Sequence, residues 1–339
     1  MDRYKTIDAH AAGEPLRLIV EGFPTPKGRT MLEKRRWVKA HADRIRRSLM
    51  QEPRGHLDMY GAVLTEPVSP EADAGVLFMH NDGYSTMCGH GIIAVTTMAI
   101  ERGLIHPRRP ERVVFDAPAG LVRATARIAP REPYAGGGPE IRVGSVSFLN
   151  VPSFVLHPGI AVDVGGRRIR LDVAFGGAFY AIVDAEAVGI PVLPARLADL
   201  RRAGMEIKRA VEAAVTVEHP DDHGLRGIYG TIFTGPPDRE DADLKNVTVF
   251  ADAQVDRSPC GTGTCAVMAV VDGMGLLAPD RPFRHESIVG TVFSGRVVSR
   301  ARVGDYDAIV PELEGSAWVT GEHTFIVEDD DPLAEGFRL

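Results

Sequence analysis

The chain has 339 residues and a formal net charge of −7, with 44% hydrophobic and 25% charged residues. A chain of this length usually divides into about two domains, each large enough for its own core. The acidic balance argues against a general nucleic-acid or anionic-membrane surface, and no apolar run approaches the roughly 18 residues that span a bilayer. We therefore expect a globular protein with neither a nucleic-acid nor a membrane partner.

The cysteine content and the first residues bear on the compartment. Three cysteines do not make a disulfide framework in a chain of this size. The first twenty residues lack a basic segment followed by an apolar one, so we expect no secretory signal. These features predict a cytoplasmic protein, in which few cysteines in special surroundings are more often catalytic or metal-binding than structural.

The hydrophobic pattern predicts an α+β fold in which strands outnumber helices. Short alternating or apolar runs predict six strands, at 17–20, 76–79, 112–115, 169–173, 246–250 and 324–327. Helical patterns lie between some of them, at 31–51, 89–103, 194–214 and 262–276. We expect each half to be a sheet wrapped on a long helix.

Two polar stretches are predicted to be exposed. The basic residues of the first helical pattern share it with apolar residues at helical spacing, which predicts a solvated helix face. They are Lys34, Arg35, Arg36, Arg44, Arg46 and Arg47. The Gly-rich stretch REPYAGGGP at 131–139 predicts an exposed hairpin or a linker between halves.

One short motif occurs twice. The stretches MCGHGIIAV at 87–95 and PCGTGTCAV at 259–267 both read Cys-Gly-X-Gly-X-X-Ala-Val, about half the chain apart. Each motif leads into an apolar run that can form a buried helix. The glycines let the backbone approach a ligand closely, with free N–H groups pointing at it. The repeat predicts two similar halves, each with one cysteine at the start of a central helix.

Paired cysteines of this kind suit proton transfer at carbon. A helix N-terminus favours the thiolate, and its free N–H groups form a site for a carboxylate. If the halves face each other, an α-carbon held between the two sulfurs can lose a proton on one face and gain one on the other. A packing role, a zinc site and a Cys/His hydrolase are less favoured alternatives. Cys265, pointing away from Cys260 on the same helix, is predicted to pack in the core.

Taken together, MCGHG at 87–91 and DRSPCGTGT at 256–264 resemble the paired active-site motifs of the proline racemase family. The resemblance extends from DAHAAGEPLRL near the start to FIVEDDDPLAEGF near the end. It implies two diaminopimelate-epimerase-like halves, each a curved, mostly antiparallel sheet around a central helix, with the active site in the cleft between them. We expect residues 1–125 with 322–339 to form the half carrying Cys88, and 126–321 the half carrying Cys260.

The resemblance also implies roles for individual residues. Cys88 and Cys260 would be the proton acceptor and donor. Substrate contacts would come from Gly89, His90, Asp256, Gly261 and Thr262, with Asp256 as the partner of the ring nitrogen. No cofactor and no metal are implied, the ligand would be a proline-type imino acid, and a homodimer is left open.

The family contains several activities, and two features of the chain favour different ones. The wider sequence is most similar to the trans-3-hydroxy-L-proline dehydratase branch, which usually has threonine where this chain has Cys260. With both thiols present, a C2 carbanion can expel the 3-hydroxyl or be reprotonated from the far face. The expectation is dehydration of trans-3-hydroxy-L-proline, its C2 epimerisation, or both. The alternatives are a 4-hydroxyproline 2-epimerase or proline racemase, and a binding protein on the same fold.

Overall fold

The computed structural model describes residues 1–130 and 141–338, so the predicted hairpin or linker at 131–139 lies outside the described residues. Within them the strands are β1 Asp2–Ala11, β2 Glu14–Glu21, β3 Tyr60–Thr65, β4 Ala74–His80, β5 Gly83–Ser85, β6 Arg112–Ala117, β7 Gly120–Pro130, β8 Ile141–Leu149, β9 Ser153–Val164, β10 Arg167–Phe175, β11 Phe179–Asp184, β12 Gly230–Gly235, β13 Leu244–Phe250, β14 Gln254–Asp256, β15 Phe283–Ser287, β16 Val292–Val303, β17 Tyr306–Gly315 and β18 Ala317–Val327. The helices are α1 Met31–His41, α2 Asp43–Met50, α3 Gly89–Glu101, α4 Ala185–Val188, α5 Leu197–Ala214 and α6 Gly261–Gly273.

This element order confirms the predicted α+β class, and each of the six predicted strand runs lies within a strand. The predicted helices form as well, with one difference. The pattern over 31–51 is split into α1 and α2 at Ala42, whose backbone N–H donates to the carbonyl of Val38 and ends α1. The chain groups into two compact units, Met1–Phe148 with Gly315–Leu339, and Leu149–Glu314.

In the first unit the sheet surrounds one buried helix. Strand β1 pairs antiparallel with β2 and β18, β2 pairs parallel with β3, and β3 pairs antiparallel with β4. Strand β4 in turn pairs parallel with β6. Helix α3 contacts β1, β2, β7 and β18, and its residues 89–100 are all buried. A mostly apolar helix of this kind gains its stability from burial on every side.

The second unit repeats this order of pairings. Strand β10 pairs antiparallel with β9 and β11, β11 pairs parallel with β12, and β12 pairs antiparallel with β13. Strand β13 pairs parallel with β15, as β4 does with β6. Helix α6 contacts β9, β10, β11 and β16. In each unit a short strand, β5 or β14, precedes the buried helix, and a connection of three or four residues ending in the cysteine joins the two.

The prediction of a solvated basic helix face is wrong for three of its six residues. Lys34 and Arg46 are buried and Arg35 is half-buried. Lys34 Nζ donates to the carbonyl of Glu66, Arg35 Nε to that of Tyr84 at 3.0 Å, and Arg46 Nη1 to that of His80 at 2.9 Å. These charges cap strand-end carbonyls of the first unit, so their burial is compensated by hydrogen bonds. Arg36 and Arg44 are exposed, as expected.

Candidate active site

Cys88 is the N-cap residue of α3, as the repeated motif predicted for it. Its sulfur accepts a hydrogen bond from the backbone N–H of Gly91 at 3.3 Å, in the way that a serine or aspartate oxygen caps a helix. The residue is only 6% exposed. Cys88 therefore presents a buried sulfur at the positive end of a helix, where negative charge is favoured.

The sulfur of Cys88 also contacts an imidazole. His90 Nδ1 lies 3.3 Å from Sγ, and Nε2 lies 3.6 Å from it. His90 is buried, and the ring of Tyr60 meets it edge-on with 4.8 Å between ring centres. The Tyr60 hydroxyl is in turn hydrogen-bonded to Ser85 Oγ. A thiol and an imidazole at this distance can share a proton, and an imidazolium would favour the thiolate.

Glycine is required at the third position of both helices. A Cβ on Gly91 would lie 2.5 Å from the Phe78 ring and 2.9 Å from the Cys88 sulfur. A Cβ on Gly263 would lie 2.9 Å from both the Cys260 sulfur and Ile232. Real Cβ atoms do not approach other atoms this closely, so the second glycine of each Cys-Gly-X-Gly motif makes room for the sulfur.

Cys260 is the N-cap residue of α6, and its backbone differs from that of Cys88. Its φ and ψ are 64° and 115°, against −146° and 115° for Cys88. A positive φ is uncommon outside glycine, and this ψ lies beyond the usual left-handed region. Holding such a conformation costs on the order of 1–3 kcal/mol, which the surrounding structure must offset.

The Tyr180 hydroxyl lies next to the Cys260 sulfur and is hydrogen-bonded to Thr262. The Tyr180 hydroxyl lies 3.7 Å from Sγ and 2.6 Å from Thr262 Oγ1. Tyr180 is fully buried, and burial raises the pKa of its phenol well above the ordinary value, so it remains a neutral donor. Gly176 packs against the first turn of α6, since a Cβ there would lie 2.2 Å from the Thr262 carbonyl. The FGGAFY segment thus closes around the start of α6.

Asp256 lies at the end of β14, four residues before Cys260. Its Oδ1 accepts hydrogen bonds from Ser258 N at 2.8 Å and from Ser258 Oγ at 2.6 Å, and Ser258 Oγ also accepts from Cys260 N at 3.2 Å. Burial raises the pKa of Asp256 to about 6, although the Ser258 hydrogen bonds oppose the shift. At neutral pH the site holds a buried carboxylate, which suits a cationic ligand.

The protonation state of Cys260 follows from burial. Burial raises the pKa of its thiol, and the negative charge of Asp256 raises it further; the Gly263 amide and the Tyr180 hydroxyl oppose this by less. The effect of the helix start, from which we expected a favoured thiolate, is thus outweighed at this cysteine. Cys260 is therefore a neutral thiol at physiological pH.

The predicted site residues form two groups. In the first unit, Cys88, Gly89 and His90 lie at the start of α3. In the second unit the group comprises Asp256, Cys260, Gly261 and Thr262, at the end of β14 and the start of α6. Ser258 was missed as a site residue, although it lies inside the DRSPC motif. Nothing in the sequence shows that the Tyr180 hydroxyl reaches the Cys260 sulfur.

The third cysteine, Cys265, has no part in either group. Cys265 is fully buried in α6, which confirms its packing role. Among residues 1–130 and 141–338, no three His, Cys, Asp or Glu side chains are grouped so that they could hold a metal ion. Over the same residues, no helix combines the length and the apolar character needed to cross a membrane.

Comparison with known proteins gives matches along the whole chain. The sequence profile described as proline racemase matches residues 6–338. The chain is 48% identical over 337 residues to trans-3-hydroxy-L-proline dehydratase of Bacillus cereus, covering 99% of this chain and 98% of that one. It is 45% identical over 336 residues to 3-hydroxyproline 2-epimerase of Burkholderia multivorans, covering 98% and 97%. The crystal structure of a hydroxyproline epimerase from Agrobacterium vitis, with bound trans-4-OH-L-proline, superposes with a TM-score of 0.86 at 30% identity and covers 100% and 95%.

Proposed function

Because the chain belongs to the proline racemase family, we propose that it is a cofactor-independent enzyme that removes the C2 proton of trans-3-hydroxy-L-proline. The resulting carbanion is dehydrated, reprotonated on the other face, or both. The observation that carries the proposal is the pair of buried cysteines, each at the start of a buried helix in its own unit. The two units are then the two halves expected for the family.

Cys88 is the base in this proposal. A thiolate accepts the C2 proton, and two neighbours of its sulfur favour that charge: the N–H of Gly91 and the imidazole of His90 when it is protonated. Proton transfer to a positioned base of this kind supplies roughly 10²–10⁴-fold of the rate. The C2–H bond breaks, its proton goes to Cys88 Sγ, and its electron pair stays on C2.

The charge that develops on the substrate needs partners at both of its polar groups. The backbone N–H groups of Gly89, His90, Gly261 and Thr262 lie in the first turns of α3 and α6, where the positive end of the helix dipole favours a carboxylate. The Asp256 carboxylate balances the secondary ammonium of the ring. Fixed donors of this kind stabilise a carboxylate as it takes on enolate character.

The carbanion has two exits. In dehydration its electron pair forms a C2=C3 double bond while the C3–O bond breaks, and the departing hydroxide takes up a proton and leaves as water. In inversion a proton from Cys260 reaches C2 on the face opposite Cys88. The neutral thiol that burial maintains at Cys260 is the form required to donate that proton. Inversion therefore requires both sulfurs, whereas dehydration requires only the base.

A second candidate is a 4-hydroxyproline 2-epimerase or proline racemase. The observation that favours it is the thiol at Cys260 beside the Tyr180 hydroxyl, which suits reprotonation more than elimination. The similar Agrobacterium vitis structure contains trans-4-OH-L-proline. A binding protein without turnover is the remaining alternative.

One experiment separates these candidates. The purified chain is incubated in deuterated water with the stereoisomers of proline, 3-hydroxyproline and 4-hydroxyproline, and proton NMR follows C2 exchange, C2 inversion and loss of the C3 hydroxyl. We expect trans-3-hydroxy-L-proline to be the fastest substrate, with activity unchanged after dialysis against EDTA. Inversion of 4-hydroxyproline or proline without reaction of the 3-hydroxy substrate would establish the second candidate. No exchange in any isomer would leave a binding protein.

A further inference from the structure

We propose that Asn246, Thr264 and His285 are positioning residues that hold the Pro259–Cys260 peptide and thereby aim the Cys260 thiol. The inference rests on the proposed function, because it assigns these residues to the step that uses Cys260. None of the three was predicted to contact substrate, and all three are fully buried.

Two of the side chains bind one carbonyl, and the third contacts both of them. The carbonyl oxygen of Pro259 accepts hydrogen bonds from Asn246 Nδ2 at 2.7 Å and from Thr264 Oγ1 at 3.0 Å. His285 Nδ1 lies 2.9 Å from Thr264 Oγ1 and 3.1 Å from Asn246 Nδ2. Proline has no N–H, so its carbonyl is the one polar group through which this residue can be anchored.

Proton counting assigns a direction to these bonds. Burial lowers the pKa of His285 to about 3, so the ring is neutral and carries one N–H. The amide nitrogen of Asn246 can only donate, and its two hydrogens go to the Pro259 carbonyl and to His285 Nδ1. His285 Nδ1 is therefore an acceptor, and in this tautomer, assigned from the network, Nε2 carries the ring hydrogen. His285 thus orients the Asn246 amide, and Asn246 and Thr264 together hold the carbonyl next to Cys260.

The first unit offers an internal comparison for this cluster. Strand β6 pairs with β4 in the register Ala74↔Phe115, and β15 pairs with β13 in the register Leu244↔His285, so Phe115 matches His285. Two residues further along β4 and β13, Val76 matches Asn246. Ile92 and Thr264, each four residues after its cysteine, form the third matched pair. The first-unit members of these pairs are apolar and fully buried: Val76, Ile92 and Phe115.

The polar cluster thus replaces packing that the same arrangement of strands achieves with apolar side chains. It does so at a cost, because the buried atoms His285 Nε2 and Asn246 Oδ1 find no hydrogen-bond partner among the described residues. Buried polar atoms without partners destabilise a fold relative to well-packed apolar groups. A role at Pro259 accounts for their presence.

The backbone of the second unit shows why Pro259 needs anchoring. Four residues, 257–260, connect β14 to α6, whereas three, 86–88, connect β5 to α3. The longer connection brings Cys260 into α6 with a φ of +64°. Without donors on the Pro259 carbonyl, the peptide before Cys260 is free to rotate toward a relaxed φ, and the sulfur then moves away from Tyr180 and Asp256.

The test compares Thr264→Val with two matched variants. Thr264→Ser keeps the hydroxyl, and Thr97→Val removes an equivalent buried hydroxyl in α3, where Thr97 Oγ1 donates to the carbonyl of Ile93 at 2.9 Å. Iodoacetamide labelling, quantified by mass spectrometry at each cysteine, gives a readout that needs no substrate. NMR in deuterated water gives the ratio of C2 inversion to dehydration.

We expect Thr264→Val to raise the labelling rate of Cys260 by at least about threefold while the rates of Cys88 and Cys265 stay at wild type. Inversion should fall about tenfold relative to dehydration. Thr264→Ser should restore both readouts, and Thr97→Val should change neither. Should Thr264→Val fail to fold, Asn246→Val, which copies Val76, removes the other donor and should give the same selective change.

Equal labelling increases at all three cysteines would show general loosening and overturn the proposal, as would unchanged labelling at Cys260. If no hydroxyproline isomer reacts but labelling rises only at Cys260, the proposed function fails and the positioning inference stands. If the isomers react and the inversion-to-dehydration ratio is unaffected by Thr264→Val, the positioning inference fails and the proposed function stands.

Discussion

His90 lies against Cys88, with its Nδ1 3.3 Å from the sulfur at the first turn of α3. If the imidazole supports the thiolate, His90→Gln should lower the labelling rate of Cys88 and the rate of C2 exchange at neutral pH by about tenfold, because less of the sulfur is then thiolate. Iodoacetamide labelling and NMR exchange measure the two effects. His41→Gln, at an exposed histidine on α1, is the control. Unchanged labelling at Cys88 would remove His90 from the role of thiolate partner.

Substitutions of the two cysteines should have different effects on the two reactions. Cys260→Thr should retain dehydration of trans-3-hydroxy-L-proline and lose C2 inversion, because a hydroxyl is too weak an acid to replace a thiol at the far face. Cys88→Ser should lose both reactions together with C2 exchange. Proton NMR in deuterated water follows all three processes in one sample. Inversion at the wild-type rate in Cys260→Thr would contradict the assignment of Cys260 as the acid.

Asp256 makes stability depend on pH in a defined direction. Its pKa is raised from an ordinary 3.8 to about 6 in the fold, so the native state binds the proton more tightly than the unfolded chain does. The free energy of unfolding should therefore fall by up to about 3 kcal/mol as pH rises from 4 to above 6. Asp256→Asn, which keeps an acceptor for Ser258, should lose this dependence and unfold at higher denaturant concentration at pH 8. Urea titrations at pH 4 and 8 test it, and parallel pH profiles for the two proteins would contradict it.

Two glycines of α6 should respond oppositely to alanine. Gly263→Ala places a Cβ 2.9 Å from the Cys260 sulfur and from Ile232, and should destabilise the fold by about 1–3 kcal/mol. Gly273→Ala meets no atom within 4 Å at the far end of the helix and should stabilise it by about 0.5 kcal/mol. Thermal unfolding of both variants decides the matter. A neutral Gly263→Ala would mean that the sulfur has room to move.

The local pattern of apolar residues and glycines was sufficient to predict the strands, the helices and the two helix starts that carry the cysteines. The glycines and the apolar run after Cys88 predicted α3, and the same pattern predicted α6, because both signals are local to the helix. The charges of Lys34, Arg35 and Arg46 were misread for the opposite reason: their partners are carbonyls of strands and turns far along the chain. Helical spacing alone cannot show which long side chain reaches such a carbonyl.

The environment of Cys260 could not be predicted from the sequence either. A helix start lowers a thiol pKa, and burial beside Asp256 raises it. Only the packed structure shows which effect is larger. The positive φ of Cys260 likewise arises from the connection of β14 to α6 and its anchored carbonyl, and cysteine itself carries no signal for it.

The strands that enclose the two central helices also affect which mutations can act independently of one another. Helix α3 is enclosed by β1, β2, β7 and β18, and α6 by β9, β10, β11 and β16, so the helices share none of these strands. Substitutions that share no partners usually act additively. Mutations that adjust one sulfur can accumulate without disturbing the other, and a laboratory selection could vary each set of strands in a separate library. The ratio of products would then be adjustable from the α6 side alone, with the α3 side left to maintain turnover.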